Sequence, residues 1–388
     1  MDHQQRTDPI VRARELAAAL RAASDTIERT RRIPAPLLAQ LHASRLFRML
    51  LPRSVGGDQT EPGTYLMAVE EVARHDASIA WNVFVANSSG LIAAYLEPAA
   101  AAAIFGDSTT ILSWGPPNGS RATAVDGGYR VTGTWDFASG CRNANWMGAH
   151  CHVVEPDGSL RRDDGSRPIV RTLLFPAAEA TLIDRWNTIG LRGTASDSYS
   201  VADLFVADVF TSTREDPGLR REPGPLYAFT MQGLYAVGVA GVALGIAHAM
   251  LEEFIGLARR KVPRGLMSLA DSAVVQADVA RAQANLGASR SYLLDTLASV
   301  YAEADDVAPI EVADRARVRL ACTHAIHAAI DVADFTYRAA GVDAIFPGSP
   351  FERRFRDIHT LSQQIQSRGA HFEAVGKVLL GMPPEPFL

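Results

Sequence analysis

Near its C-terminal end the chain carries DIHTLSQQIQSRGAH, in which two imidazoles, His359 and His371, stand among amides and hydroxyls. Read as one helix, Gln364, Ser367 and His371 fall at i, i+3 and i+7 and share a face. His371 borders the apolar stripe of Phe372, Val375 and Leu379, so this face turns toward an interior edge. A neutral imidazole there can take or return a proton near pH 7. His359 follows Arg356-Asp357, and its plainest role is a pair with a carboxylate or a backbone group. Phe137-Ala138-Ser139-Gly140 interrupts a strand pattern with a turn, and Ser139 offers a hydroxyl near a surface. Arg260 and Lys261 close a long helix, where cations suit the dipole. His150 and His152 share one face of a strand, but no third or fourth ligand follows at metal spacing, so no metal is expected.

These residues need elements to hold them. The stretch Tyr129–Trp135 alternates, and β-branched and aromatic residues recur to Val209, whereas both flanks are helical in period. Asp126-Gly127-Gly128 marks a tight hairpin turn. A polar excursion from Glu155 reads as an exposed hairpin loop, and REDPGLRREPGP as a linker. Four helical segments follow, Leu226–Arg260, Leu269–Glu303, Ile310–Ala340 and Arg354–Leu380, which make an up-down bundle. The chain is thus mainly α in an α+β order: an N-terminal helical domain at 1–107, a central β domain of barrel or sandwich type at 108–224, and a C-terminal four-helix bundle at 225–388.

Composition narrows the function. The 388 residues hold 47% hydrophobic and 21% charged side chains, enough for two or three packed layers. A net charge of −5 without any Lys/Arg block gives no footing for nucleic acid. Three cysteines without metal spacing, and an N-terminus without a signal-type apolar core, fit a reducing cytoplasm. Tyr235–Leu251 is apolar but short, Gly-rich and followed by Glu252-Glu253. It reads as a helix buried in the bundle, not as a membrane span.

Helices, strands, then four helices, together with LPRSVGG, EEVARHDASIAW, NTIGLRGTASDSYSVADLFV and FERRFRD, resemble the acyl-CoA dehydrogenase superfamily from about Leu41 to Leu380. Dehydrogenases of that family use a glutamate about nine residues past the Arg-Asp pair. Here that count reaches Ile365, and no carboxylate lies between Asp357 and Glu373. The pattern is similar instead to the two-component (group D) flavin monooxygenases of the same fold. These take reduced FMN or FAD, FMNH2 foremost here, from a separate flavin reductase. They trap O2 as a C4a-hydroperoxide and hydroxylate aromatics and phenols, or oxygenate amines and sulfur compounds. The resemblance implies His371 as base or peroxide stabiliser and Ser139 as a donor beside flavin N5. It implies Trp114, Phe137 and Gln364 against the flavin, Arg260 or Lys261 on its phosphate, and a homotetramer. A small organic molecule would be the substrate. The absence of a Gly-x-Gly-x-x-Gly after a strand fits flavin that arrives already reduced. An acyl-CoA dehydrogenase or oxidase with its base elsewhere, and a non-catalytic member of the family, are the alternatives.

Overall fold

The computed structural model describes residues 8–164, 166–213, 216–265 and 267–385. The first seven residues, and Arg214 and Glu215 of the linker, lie outside them. Six helices come first: α1 (Pro9–Glu15), α2 (Ala17–Thr30), α3 (Ala35–Ala43), α4 (Pro62–Ala73), α5 (Ala77–Gly90) and α6 (Pro98–Phe105). Asp76 caps α5 by accepting the Ile79 N–H at 2.8 Å, which leaves one fewer orphan donor at the helix start.

Eight strands follow: β1 (Leu112–Trp114), β2 (Arg121–Val125), β3 (Gly128–Ala138), β4 (Trp146–Val154), β5 (Val170–Pro176), β6 (Thr181–Ile183), β7 (Asp197–Ala207) and β8 (Thr211–Ser212). They form one mixed sheet in the order β6-β7-β3-β2-β4-β5-β8, with β1 parallel to β4. The β2–β3 hairpin turns at Asp126-Gly127, where Gly127 takes φ +72° as a two-residue turn requires. One face of the sheet has its own core, in which Trp135 stacks on Tyr199 with ring centroids 5.4 Å apart. The ladder between β3 and β7 slips between Trp135 and Ala138, and Phe137 sits in that bulge at φ +60°.

Three long helices follow, α7 (Met231–Arg260), α8 (Ala273–Glu303) and α9 (Val312–Ala340). The fourth segment, expected as one helix, is broken. It comprises α10 (Pro350–Leu361), a single 3-10 turn at Ile365–Ser367, and α11 (Ala370–Leu379). Side chains compete with the helix at the break. Ser362 Oγ bonds the His359 carbonyl at 2.7 Å, the Gln364 side chain accepts the Gln366 N–H at 2.6 Å, and Ser367 Oγ bonds the Leu361 carbonyl at 3.0 Å. Gln364, Ser367 and His371 therefore do not share one helical face.

The helices Ala77–Tyr95 and Met231–Arg260 are long and apolar enough to cross a membrane, yet 100% and 89% of their apolar windows are buried inside the protein. For α7 this burial depends on close approach. A Cβ at Gly245 would run into the Glu70 carbonyl and the Ala73 methyl of α4, so these backbones meet only over hydrogen. Gly245→Ala is expected to lower the free energy of unfolding by about 1–3 kcal/mol through overpacking. Chemical denaturation measures it, and an unchanged midpoint would mean that α4 and α7 can part at no cost.

Candidate active site

A cavity of about 730 Å³ opens where the sheet, α5, α7 and the broken fourth helix meet. That volume suits a small molecule or the tricyclic body of a cofactor. Trp81 and Val85 of α5 form part of its floor, and Gln232 and Tyr235 come from the first turns of α7. Trp114 ends β1 and lies edge-on to His150 of β4, ring centroids 4.9 Å apart. Phe137 lines the mouth with 62% of its surface exposed, edge-on to Trp186 at 6.3 Å. The last turn of α10 supplies His359 and Thr360, and the break after it supplies the residues from Gln363 to Gln366.

Four buried groups are linked along one wall. The Trp81 indole N–H donates to Ser139 Oγ at 3.1 Å, Ser139 Oγ lies 2.6 Å from Ser196 Oγ, and Ser196 Oγ lies 2.8 Å from Thr194 Oγ1. Thr194 Oγ1 in turn donates to the Leu191 carbonyl at 2.9 Å. Ser139 is held from its backbone as well. Ser113 Oγ bonds its carbonyl at 2.8 Å, and the next N–H, of Gly140, donates to the Thr194 carbonyl at 2.9 Å.

Thr194 and Ser196 belong to the segment 185–197, which also brings Trp186, Asn187, Thr188, Ile189 and Leu191 to the cavity. Two buried carboxylates fix it. Asp197 accepts the Arg185 and Trp186 N–H groups at 3.0 and 2.9 Å on one oxygen and Arg142 Nε at 2.5 Å on the other. From the opposite side Asp357 of α10 accepts the Leu191 N–H at 2.6 Å, and the Arg356 guanidinium bonds the Ile189 carbonyl. Gly190 lets the segment lie flat on α10, because any Cβ would strike the Arg356 carbonyl. Burial lifts the Asp357 carboxyl to about 7. The Leu191 N–H works against the rise, while Asp76 and Glu28 add to it.

At the break, the Asp334 carboxylate lies 2.8 Å from His359 Nε2. A carboxylate only accepts, so the proton is on Nε2 and Nδ1 is the basic atom. This is an oriented imidazole on the cavity. The candidate His371 is elsewhere. It does not line the cavity, and its Nε2 faces the Ile365 carbonyl at 2.8 Å. Burial first, then the nearby Arg319, lowers its proton affinity, and its bond to the cavity runs through the Ile365 carbonyl. The once-expected helical face would have brought it inward, and the break removes that face.

Of the other residues named from sequence, Trp114, Phe137, Ser139 and Gln364 line the cavity together. Arg260 and Lys261 do not. Lys261 Nζ pairs with Asp343 at 2.5 Å and with the Ala340 carbonyl at 2.7 Å, tying the end of α7 to the end of α9. Among the described residues no group of three or more metal-ligating side chains occurs, and His150 Nδ1 lies 2.8 Å from Thr172 Oγ1. Trp81, Trp186, Thr194 and Ser196 were not singled out as site residues. Trp81 and the Thr194–Ser196 pair sat inside quoted motifs, but only the fold shows that they meet.

Sequence comparison finds the N-terminal domain of acyl-CoA dehydrogenases at residues 11–102 and their C-terminal domain at 237–368, together more than half of the chain. An indole-3-acetate monooxygenase of Pseudomonas putida is 28% identical over 375 residues, covering 94% of this chain and 92% of its own. The oxygenase subunit HsaA of a flavin-dependent monooxygenase from Rhodococcus jostii is 27% identical, covering 89% and 90%. Among solved structures, XiaF from Streptomyces sp. in complex with FADH2 and glycerol superposes with a TM-score of 0.89. It is 22% identical, and the match covers 98% of this chain and 96% of that one.

The raised Asp357 carboxyl has a consequence for stability. A carboxyl whose folded value exceeds its unfolded value of about 3.9 stabilises the fold while protonated, and that contribution is lost as pH rises through about 7. Wild-type thermal stability is therefore expected to fall between pH 5 and 8 more steeply than that of Asp357→Asn, whose amide oxygen can still accept the Leu191 N–H. Parallel melting curves for the two proteins across that range would mean that Asp357 is ionised throughout.

Proposed function

The chain belongs to the acyl-CoA dehydrogenase family, and within it we propose that it is the oxygenase component of a two-component flavin-dependent monooxygenase that hydroxylates a small aromatic substrate. The observation that carries this reading is one cavity that joins Trp114 and the Ser139 hydroxyl on one side to the Asp334-oriented His359 on the other. Aromatic walls suit a planar ring, and hydroxyl and amide groups suit the polar edge of a flavin. Reduced FMN or FAD, brought by a separate flavin reductase, supplies the electrons with which O2 is divided between product and water.

The chain's own residues then have distinct tasks. Trp114, Trp186 and Phe137 enclose the ring system and exclude water. Ser139, Gln232 and Gln364 fix orientation through hydrogen bonds. His359 takes the proton of a substrate hydroxyl or ring N–H, and Asp334 steadies the imidazolium that results. His371 acts at one remove, by holding the Ile365 carbonyl and so the 3-10 turn that carries the glutamines.

Arg260 and Lys261 can serve a flavin phosphate only across an interface, which accords with a homotetramer. Exposed Val262, Met267, Val342, Ile345 and Phe346 on the neighbouring loops offer an apolar face for a second copy. The mass in solution should be that of four chains by light scattering, and a monomer would remove these cations from the site. The reading places the enzyme in the cytoplasm, beside its reductase.

With reductase, FMN and O2 present, phenol and indole serve as probe substrates. His359→Ala is expected to lower product formation by about 10²-fold or more, as loss of an acid–base group does. His371→Ala should keep activity within a few-fold. The opposite ranking would return the base to His371 and refute the assignment made from the cavity.

A further inference from the structure

We infer that Ser139, Ser196 and Thr194 form a one-way hydroxyl relay that presents Ser139 to the cavity as a hydrogen-bond acceptor, and that Ser196 and Thr194 are thereby positioning residues that favour reduced over oxidised flavin. The inference rests on the reading of the cavity as a flavin site with N5 facing Ser139.

Both ends of the relay have a fixed sense. An indole N–H can only donate, and a carbonyl oxygen can only accept. Thr194 spends its proton on the Leu191 carbonyl at 2.9 Å, so its oxygen receives the proton of Ser196 at 2.8 Å. Ser196, having donated, accepts from Ser139 at 2.6 Å. Ser139 accepts from Trp81 at 3.1 Å. Every hydroxyl proton is then committed inside the wall, and what Ser139 has left for a ligand is a lone pair. Trp81, Ser139, Thr194 and Ser196 are all buried, and each already has its partner inside the wall.

This is the reverse of the donor role expected for Ser139 from sequence. Its chemical consequence is selective. N5 of a reduced flavin carries a hydrogen, which an acceptor at Ser139 can take. N5 of an oxidised flavin is itself a bare acceptor, so two lone pairs would face each other. Reversing the relay requires Thr194 to withdraw from Leu191 and both Thr194 and Ser196 to rotate, at the loss of one hydrogen bond. One net hydrogen bond corresponds to a preference of about threefold to tenfold. An enzyme that borrows reduced flavin and returns it oxidised benefits twice, in capture and in release.

The test is binding, not turnover. Dissociation constants for reduced and oxidised FMN are measured by anaerobic equilibrium dialysis in wild type, Thr194→Val, Ser196→Ala and Thr194→Ser. Valine keeps the shape of threonine but removes the proton that reaches Leu191, so Ser196 is free to turn back toward Ser139. Alanine at 196 releases the Ser139 proton outright. The wild type is expected to bind reduced FMN more tightly. The ratio of oxidised to reduced constants should shrink about threefold to tenfold in Thr194→Val and Ser196→Ala, and Thr194→Ser should restore it. Binding that persists in either folded variant with an unchanged ratio overturns the relay alone. A wild type that binds neither form overturns the flavin reading, and the relay's role with it.

Discussion

The site depends on a connecting segment, residues 185–196, in which the regular structure is a single 3-10 turn at Arg192–Thr194, being held in place by side chains from outside it. Asp197 and Asp357 do this from opposite sides, each giving carboxylate oxygens to backbone N–H groups. An irregular loop has no ladder of its own to satisfy its peptide groups, so a buried one needs partners from elsewhere. On the Asp197 side the partner is ion-paired with Arg142, and charge-assisted bonds are shorter and stronger than neutral ones. The segment can then carry Leu191 and Ala195 at φ +48° and +43°, a region that costs side-chain-bearing residues energy.

The two carboxylates differ in kind. Asp197 meets the Arg142 guanidinium as well as two N–H groups, so its charge is compensated where it is buried. Asp357 is equally buried but faces Asp76 and Glu28 besides Arg356, and burial dominates. Asp357 is therefore on the edge of protonation near neutrality. The face of the segment that rests on α10 is thus a side that can respond to pH.

How much of this was legible in the sequence follows from how far each signal reaches. The three-part order of helices, strands and helices rests on local period, 3.6 against 2, and is found as read. Trp114 and Phe137 were named through the family resemblance, and Ser139 also through a turn, which is a local event; all three line the cavity. The break after Leu361 was not legible. No proline marks it, Gly369 comes late, and the side chains that end the helix do so by hydrogen bonds that an unbroken periodic reading cannot represent. That one omission turned His371 toward the interior, whereas the carboxylate pairing expected of His359 is met by Asp334, 25 residues away on another helix. Thr194 and Ser196 lie in a segment with no period at all, and their meeting with Trp81 and Ser139 is a product of tertiary packing.

Phe137 shows why the two halves of the site must be considered together. In plain alternation Trp135, Phe137 and Ser139 would share a face of β3. Trp135 is needed in the core of the sheet, stacked on Tyr199, and Ser139 is needed at the relay with Ser196. The bulge between Trp135 and Ala138 reconciles these demands, and Phe137 takes the positive φ that results. Such a residue costs about 1–3 kcal/mol and persists only where its neighbours over-determine it. Both flanks here are over-determined, one by an aromatic stack and the other by a hydroxyl chain. The outcome is an aromatic ring standing exposed at the cavity mouth against Trp186, on the segment that the two carboxylates hold. Relaxing the strain would require either Trp135 to leave its core or Ser139 to leave the relay, so the mouth of the site is set by the same contacts that set its wall.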